Sequence, residues 1–201
     1  TFGAPAVADI DGDGAPEVIV SHYGGLTVLN GEDGSPLWTT PLDPGNPGGV
    51  SVADLDGNGA VNILTGMRYE FEPGRFGMLY ALNPDGSILW SAIAEDSSSA
   101  NNASVLDLNG DGAYEVAWNG KEQGFTIYDG ADGEVLFNEP LANSATGTDY
   151  PLFVDVDADG YAEVIVPTIR GLVVFGQDGV WGEARPLWNE HSYHITNVND
   201  D

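Results

Sequence analysis

Asp155, Asp157, Asp159 and Glu163 put side-chain oxygens at positions one, three, five and nine of a nine-residue stretch, with Gly160 at position six. Alternate acids on a curling backbone converge on one point, and glycine permits the turn that returns position nine to it. Such a point suits a hard cation, calcium above all, which takes six to eight oxygen ligands at roughly 2.3–2.6 Å. Tyr161, at position seven, is placed to add its backbone carbonyl.

The pattern occurs four times. Asp9, Asp11, Asp13, Ala15 and Glu17 form the first copy, and Asp54, Asp56, Asn58, Ala60 and Asn62 the second. Asp107, Asn109, Asp111, Ala113 and Glu115 form the third. The first aspartates are 45, 53 and 48 residues apart, a spacing that signals a repeat architecture. Up to four Ca2+ ions are expected. The second copy is expected to hold the weakest site, because Asn58 and Asn62 replace two acids. An EF-hand is excluded: it needs glutamate at position twelve, where this chain has Val20, Thr65, Trp118 and Val166. Two carboxylates about 4 Å apart repel by up to ~4 kcal/mol at an effective dielectric near 20, so four such clusters call for a cation.

Five basic residues against 32 acids give a formal charge of −27. That excludes a general nucleic-acid binder, which needs a basic surface to neutralise phosphate, and disfavours an anionic membrane surface. The loops hold 13 of the carboxylates, so four dications would bring the charge to −19. The remaining acidity suits an extracellular or cell-surface setting. With no cysteine, neither disulfides nor thiol chemistry is available. No apolar run approaches the roughly 18 residues of a membrane span, so no membrane insertion is expected. The chain starts at Thr1 without a signal-peptide pattern, and is expected to be a processed or excised piece of something longer.

The elements that must position these loops are short strands. In the first repeat they are residues 5–9, 17–21, 25–30 and 36–39, with Asp33-Gly34 turning the last hairpin. Asp-Gly between short β-branched runs is a strong hairpin signal, and it recurs at Asp85-Gly86, Asp132-Gly133 and Asp178-Gly179. The second repeat offers 50–54, 62–65, 78–82 and 88–91, and the third 104–107, 115–118, 125–128 and 134–137. The fourth offers 152–155, 163–167, 172–175 and 185–188. No stretch has helical periodicity. Four antiparallel strands per repeat of about 40–50 residues predict an all-β fold, a β-propeller of four-stranded antiparallel blades. The four blades span about 1–41, 47–94, 101–141 and 149–188, and 189–201 is a C-terminal tail. Trp38, Trp90, Phe137 and Trp188 recur at the start of each last strand. Their regular place predicts packing between neighbouring blades rather than a saccharide platform.

Ala8-Asp9-Ile10-Asp11-Gly12-Asp13-Gly14 through Glu17, with its three siblings, resembles the FG-GAP/VCBS repeat, the calcium-binding blade of integrin-α-like propellers. The hairpins, as in Leu79 to Trp90, also resemble the outer strands of quinoprotein-type (PQQ-like) blades. The resemblance extends to Trp188. It implies a propeller fold and calcium at the loop acids of blades one, three and four, while blade two departs from the family pattern.

Alternating strand direction puts the acidic loops and the Asp-Gly turns on one face. The strand-two-to-three loops and the blade connections lie on the other. That opposite face gathers His22, Tyr23, Arg68, Tyr69, Arg75, Phe76, Lys121 and Arg170, so four of the five basic residues fall there. Either they form a ligand face, or the cations balance local acids while the aromatics cover a neighbouring blade. Asn102-Ala103-Ser104 is a glycosylation sequon, so Asn102 is a candidate carrier. No catalytic residue and no organic cofactor site is assigned. His191 and His194 in the tail offer two metal nitrogens but no readable carboxylate partner, and an ordinary structural tail is the simpler reading.

These features point to a calcium-stabilised, non-catalytic extracellular propeller used for adhesion, recognition or assembly. Its partner is a protein or glycan ligand, or further copies that complete a ring or a surface assembly. The alternative is the propeller of a carbohydrate-active enzyme such as a polysaccharide lyase. A quinoprotein dehydrogenase fragment rests on the hairpins alone.

Overall fold

A computed structural model describes residues 3–68, 76–95, 101–144, 149–176 and 179–184. Every regular element among them is a strand, as the alternating patterns predict. Blade one is β1 Ala6–Ala8, β2 Glu17–His22, β3 Gly25–Leu29 and β4 Pro36–Pro41. Blade two is β5 Asn46–Ala53, β6 Asn62–Arg68, β7 Met78–Leu82 and β8 Ile88–Ile93. Blade three is β9 Ser104–Leu106, β10 Glu115–Asn119, β11 Phe125–Tyr128 and β12 Val135–Glu139. Blade four shows β13 Leu152–Val154, β14 Glu163–Thr168 and β15 Gly171–Gly176. Each sheet is an antiparallel meander in chain order. The expected strand at 185–188 and its Trp188 lie outside the described residues, as do Tyr69, Arg75, His191 and His194.

Burial separates the inner blades from the end blades. In β10 and β11 every residue is buried, because blade three has a neighbour on both faces. In β2 burial alternates, with Ile19 and Ser21 inside, because only one face of blade one is covered. Three apolar clusters hold the blades together. Ile19, Leu26 and Val28 meet Val52, Ile63 and Leu82 between blades one and two. Leu64, Leu79 and Trp90 meet Val105, Val116 and Tyr128 between blades two and three. Phe125 and Ile127 meet Phe153, Val164 and Val166 between blades three and four. Among the described residues no cluster joins blade four to blade one, and the ring is open.

The recurrent aromatics of blades one to three act as the sequence predicts. Trp38 Nε1 donates to the Pro84 carbonyl at 2.9 Å, and Trp90 Nε1 to the Gly130 carbonyl at 2.6 Å, each in the next blade. Phe137 meets Phe175 edge-on with centroids 5.2 Å apart. The glycine of the next blade's Asp-Gly makes room for the ring: a Cβ on Gly86 or Gly133 would lie 2.8 Å from the Trp38 or Trp90 indole. Near the axis, the hydroxyls of Ser51 and Ser104 donate to the carbonyls of Ala103 and Pro151 in the following blade.

The last hairpin of blade one runs from Leu29 to Pro36, across the gap between its two expected strands, with a register shift at Val28/Leu29. Asp33 accepts from Ser35 N at 2.8 Å, and Gly34 N bonds back to the Asn30 carbonyl, so the Asp-Gly sits inside a longer bulged connection. One local expectation is corrected: β5 starts at Asn46, ahead of the strand expected at 50–54. Pro47 and two glycines signal a loop, yet Asn46 and Pro47 pair with Arg68 and Met67 before a bulge restores register at Val50.

Candidate metal centres

Each acidic loop is built around its first aspartate. The Asp9 carboxylate accepts from Gly12 N at 2.8 Å and from Gly14 N at 3.0 Å. Asp107 accepts from Gly110 N and Gly112 N at 2.7 and 3.0 Å, and Asp155 from Ala158 N and Gly160 N at the same two distances. Asp54 takes Asn58 N and Gly59 N instead. These bonds curl the backbone so that the acids at three and five face the same point as position one. At position five the side chain caps the N–H of position seven, as Asp13 does for Ala15 and Asp159 for Tyr161, both at 2.8 Å.

Position nine has a second duty that spacing alone does not show. Glu17 accepts from Ile10 N, Glu115 from Leu108 N and Glu163 from Val156 N, at 2.8, 2.5 and 2.9 Å. Asn62 accepts in the same way from Leu55 N at 2.8 Å. All four are buried at the start of the second strand. Blade two therefore keeps the loop's internal bond through an amide but not the charge, which explains how Asn62 fits the fold.

Carboxylate oxygens from Asp9, Asp11 and Asp13 lie within 4.8 Å of one another, and so do those from Asp155, Asp157 and Glu163. In the other two loops an asparagine amide donates to the acids. Asn58 Nδ2 donates to Asp56 at 2.8 Å, and Asn109 Nδ2 to Asp111 and Glu115 at 3.0 and 3.1 Å. These N–H groups do part of a cation's work. Among the described residues, Asp56 Oδ1 is buried with no hydrogen-bond partner, a position that a bound cation would satisfy. An all-oxygen set of carboxylates, amides and carbonyls fits calcium in charge and hardness.

Burial pushes the Glu115 carboxyl up from 4.5 to about 7, with Asp111, Asp107 and Asp129 adding to the rise and the Leu108 N–H opposing it. A carboxyl raised in the fold stabilises it below its unfolded value, and that contribution is lost as the pH rises through about 7. At neutral pH the cation-free loop thus either keeps a poorly solvated charge or takes up a proton.

One feature of the loops went unread in the sequence. Position four adopts a left-handed backbone in every copy: Gly12 has φ 79°, Gly57 67° and Gly110 76°, but blade four places Ala158 there at 64°. A Cβ in that region costs about 1 kcal/mol. Ala158→Gly should therefore raise stability by about 0.5–1 kcal/mol, seen as a higher melting temperature with calcium and with chelator alike. The signal was present as Gly-Asp-Gly or Gly-Asn-Gly in three copies against Ala-Asp-Gly in the fourth.

The opposite face is spread over equivalent turns rather than gathered. His22 Nε2 lies 3.0 Å from Thr27 Oγ1, Tyr23 and Phe76 are exposed, and Lys121 pairs with Glu122 at 4.0 Å. Arg68 ends β6, and Arg170 sits in the turn before β15. Backbone bonds from the blade connections, such as Lys121 N to Glu95 O at 2.8 Å and Ile169 N to Asn143 O at 3.2 Å, fix these turns. The sequon is corrected. Asn102 is only 4% exposed, and its side chain fills the space where Gly49 lacks a Cβ, so this fold leaves a glycan no room.

The family model described as the FG-GAP-like repeat matches residues 6–65. Among curated proteins, none matches the sequence. In structure the chain is similar to the biofilm matrix protein Bap1 of V. cholerae, with a TM-score of 0.70 and 14% identity over 99% of this chain and 60% of that one. It is also similar to BamB from Moraxella catarrhalis, with a TM-score of 0.53 and 14% identity over 85% of this chain and 45% of that one. The chain thus spans roughly half the length of these structures, and at such identity the likeness is one of fold. Residues 6–65 match the FG-GAP-like repeat, and the described residues of the chain form four antiparallel blades of a β-propeller-like fold in an open ring.

Proposed function

We propose that this chain is a calcium-stabilised propeller module that works outside the cell in recognition or assembly and performs no chemistry of its own. The observation that carries this reading is the convergence of the acids in loops built alike in four blades, with Asp9, Asp11 and Asp13, and Asp155, Asp157 and Glu163, each within 4.8 Å. Calcium would be held by positions one, three, five and nine and the carbonyl of position seven. It would supply positive charge that lets clustered carboxylates stay ionised on a rigid turn. Extracellular modules of this kind bind calcium at roughly 10⁻⁴–10⁻³ M, a range filled outside cells. The fold shared with a biofilm matrix protein agrees with a surface setting, and the exposed turns around His22, Tyr23 and Phe76 offer a protein or glycan a place to dock.

Calorimetric titration with calcium tests the reading. The chain should take up three to four ions, the last of them weakly. Asn62→Asp, which restores a carboxylate in blade two, should tighten the weakest step on the order of three- to tenfold. No calcium heat up to several millimolar would sink the proposal.

A further inference from the structure

We propose that two copies of this chain join head to tail through their end blades, each blade four docking on the partner's blade one, to close an eight-blade ring. The inference stands on packing and is independent of the metal reading.

Every seam in the structure uses the same two surfaces. The forward face of one blade, centred on two residues of its third strand, meets the rear face of the next, centred on the middle of its first strand. On the forward faces of blades one, two and three these residues are Leu26 and Val28, Leu79 and Ala81, and Phe125 and Ile127, all 0–2% exposed. Register places Leu172 and Val174 at the same positions in blade four: Leu172 pairs with Pro167 as Leu26 does with Ser21, and Val174 with Ile165 as Val28 does with Ile19. Yet Leu172 is 71% exposed and Val174 53%.

The rear faces show the complement. Val52, Val105 and Phe153, at the middle of the first strands of blades two, three and four, are 1–5% exposed, whereas Val7 in blade one is 54% exposed. The chain therefore carries one uncovered forward face and one uncovered rear face, the two halves of an interface it already makes three times. They do not meet within the chain, since no apolar cluster joins blade four to blade one among the described residues. A second copy offers both missing halves at once. The contact is heterologous, and two copies of four blades give eight, within the four to eight blades over which propellers close.

Sedimentation velocity in calcium and moderate salt tests this. The parent should run as a compact dimer of about 42 kDa, twice the 21.1 kDa chain. Leu172→Glu and Val7→Glu alter side chains exposed in the single chain, so each variant should keep the parent's circular dichroism. Each alone should dimerise at least tenfold more weakly, because both seams of the ring carry the charge. An equimolar mixture should recover dimer, because one seam then pairs an unaltered forward face with an unaltered rear face. A parent that stays monomeric at high micromolar concentration overturns the proposal and leaves these faces to other blades, of this polypeptide or of another. Growth into open polymers overturns closure. A dimer that ignores both substitutions, or that mixing does not restore, overturns the head-to-tail contact.

Discussion

Removing calcium should lower the melting temperature of this chain by roughly 5–20 °C. At about 1 mM free ion and dissociation constants of 10⁻⁴–10⁻³ M, each site adds ~0.4–1.4 kcal/mol through RT ln(1 + [L]/Kd). Four sites together contribute roughly 2–6 kcal/mol, comparable with the net stability of a whole domain. For a chain of this size each kcal/mol moves the midpoint by about 2–4 °C. The loops explain why the loss should be large: without the ion, buried Glu115 must hold a charge beside Asp107 and Asp111 or take up a proton. Differential scanning calorimetry with calcium and then with chelator reads the shift. Magnesium, smaller and bound to near-octahedral geometry, should restore much less of it.

Trp90→Ala should cost about 3–5 kcal/mol, the range for removing a large buried aromatic ring. The Trp90 indole is buried between blades two and three, stacks on Tyr128 at 5.9 Å and donates to the Gly130 carbonyl at 2.6 Å. Truncation opens a cavity at a seam and leaves a carbonyl without its donor. Trp90→Phe keeps most of the packing and loses the bond, so about 1–2 kcal/mol is expected. Urea unfolding in saturating calcium measures both. A change under 0.5 kcal/mol for Trp90→Ala would place the ring outside the core and revive a saccharide-stacking role.

Much of the fold was legible because a propeller repeats its local instructions. Fifteen of the sixteen expected strands lie among the described residues, and the acidic loop, the second-strand apolar run and the Trp–Asp-Gly pairing each recur at fixed offsets. What escaped the sequence is non-local. The length of β5 depends on Asn46 and Pro47 finding Arg68 and Met67, which overrides the loop chemistry of Pro47-Gly48-Gly49. Asn102 has the three-residue signal for a glycan, but its burial is decided by Gly49 in β5 of the preceding blade. The site was legible as a set of oxygens. The internal bond from position nine to position two was not, since Asn62 and Glu17 look like different solutions until both are seen accepting the same backbone N–H. Nor could composition say whether four blades meet end to end, because that depends on the accumulated rotation across three seams.

Asp157→Ala, melted beside the parent in calcium and in chelator, tests the central claim most directly. Asp157 sits at position three of the fourth loop, exposed, and among the described residues its one hydrogen bond is the weak 3.2 Å acceptance from Asp159 N. If these loops are calcium sites, the substitution should lower the midpoint by roughly 1–5 °C in calcium and leave it nearly unchanged in chelator. Equal losses in the two conditions would contradict the account and reduce the four loops to acidic turns.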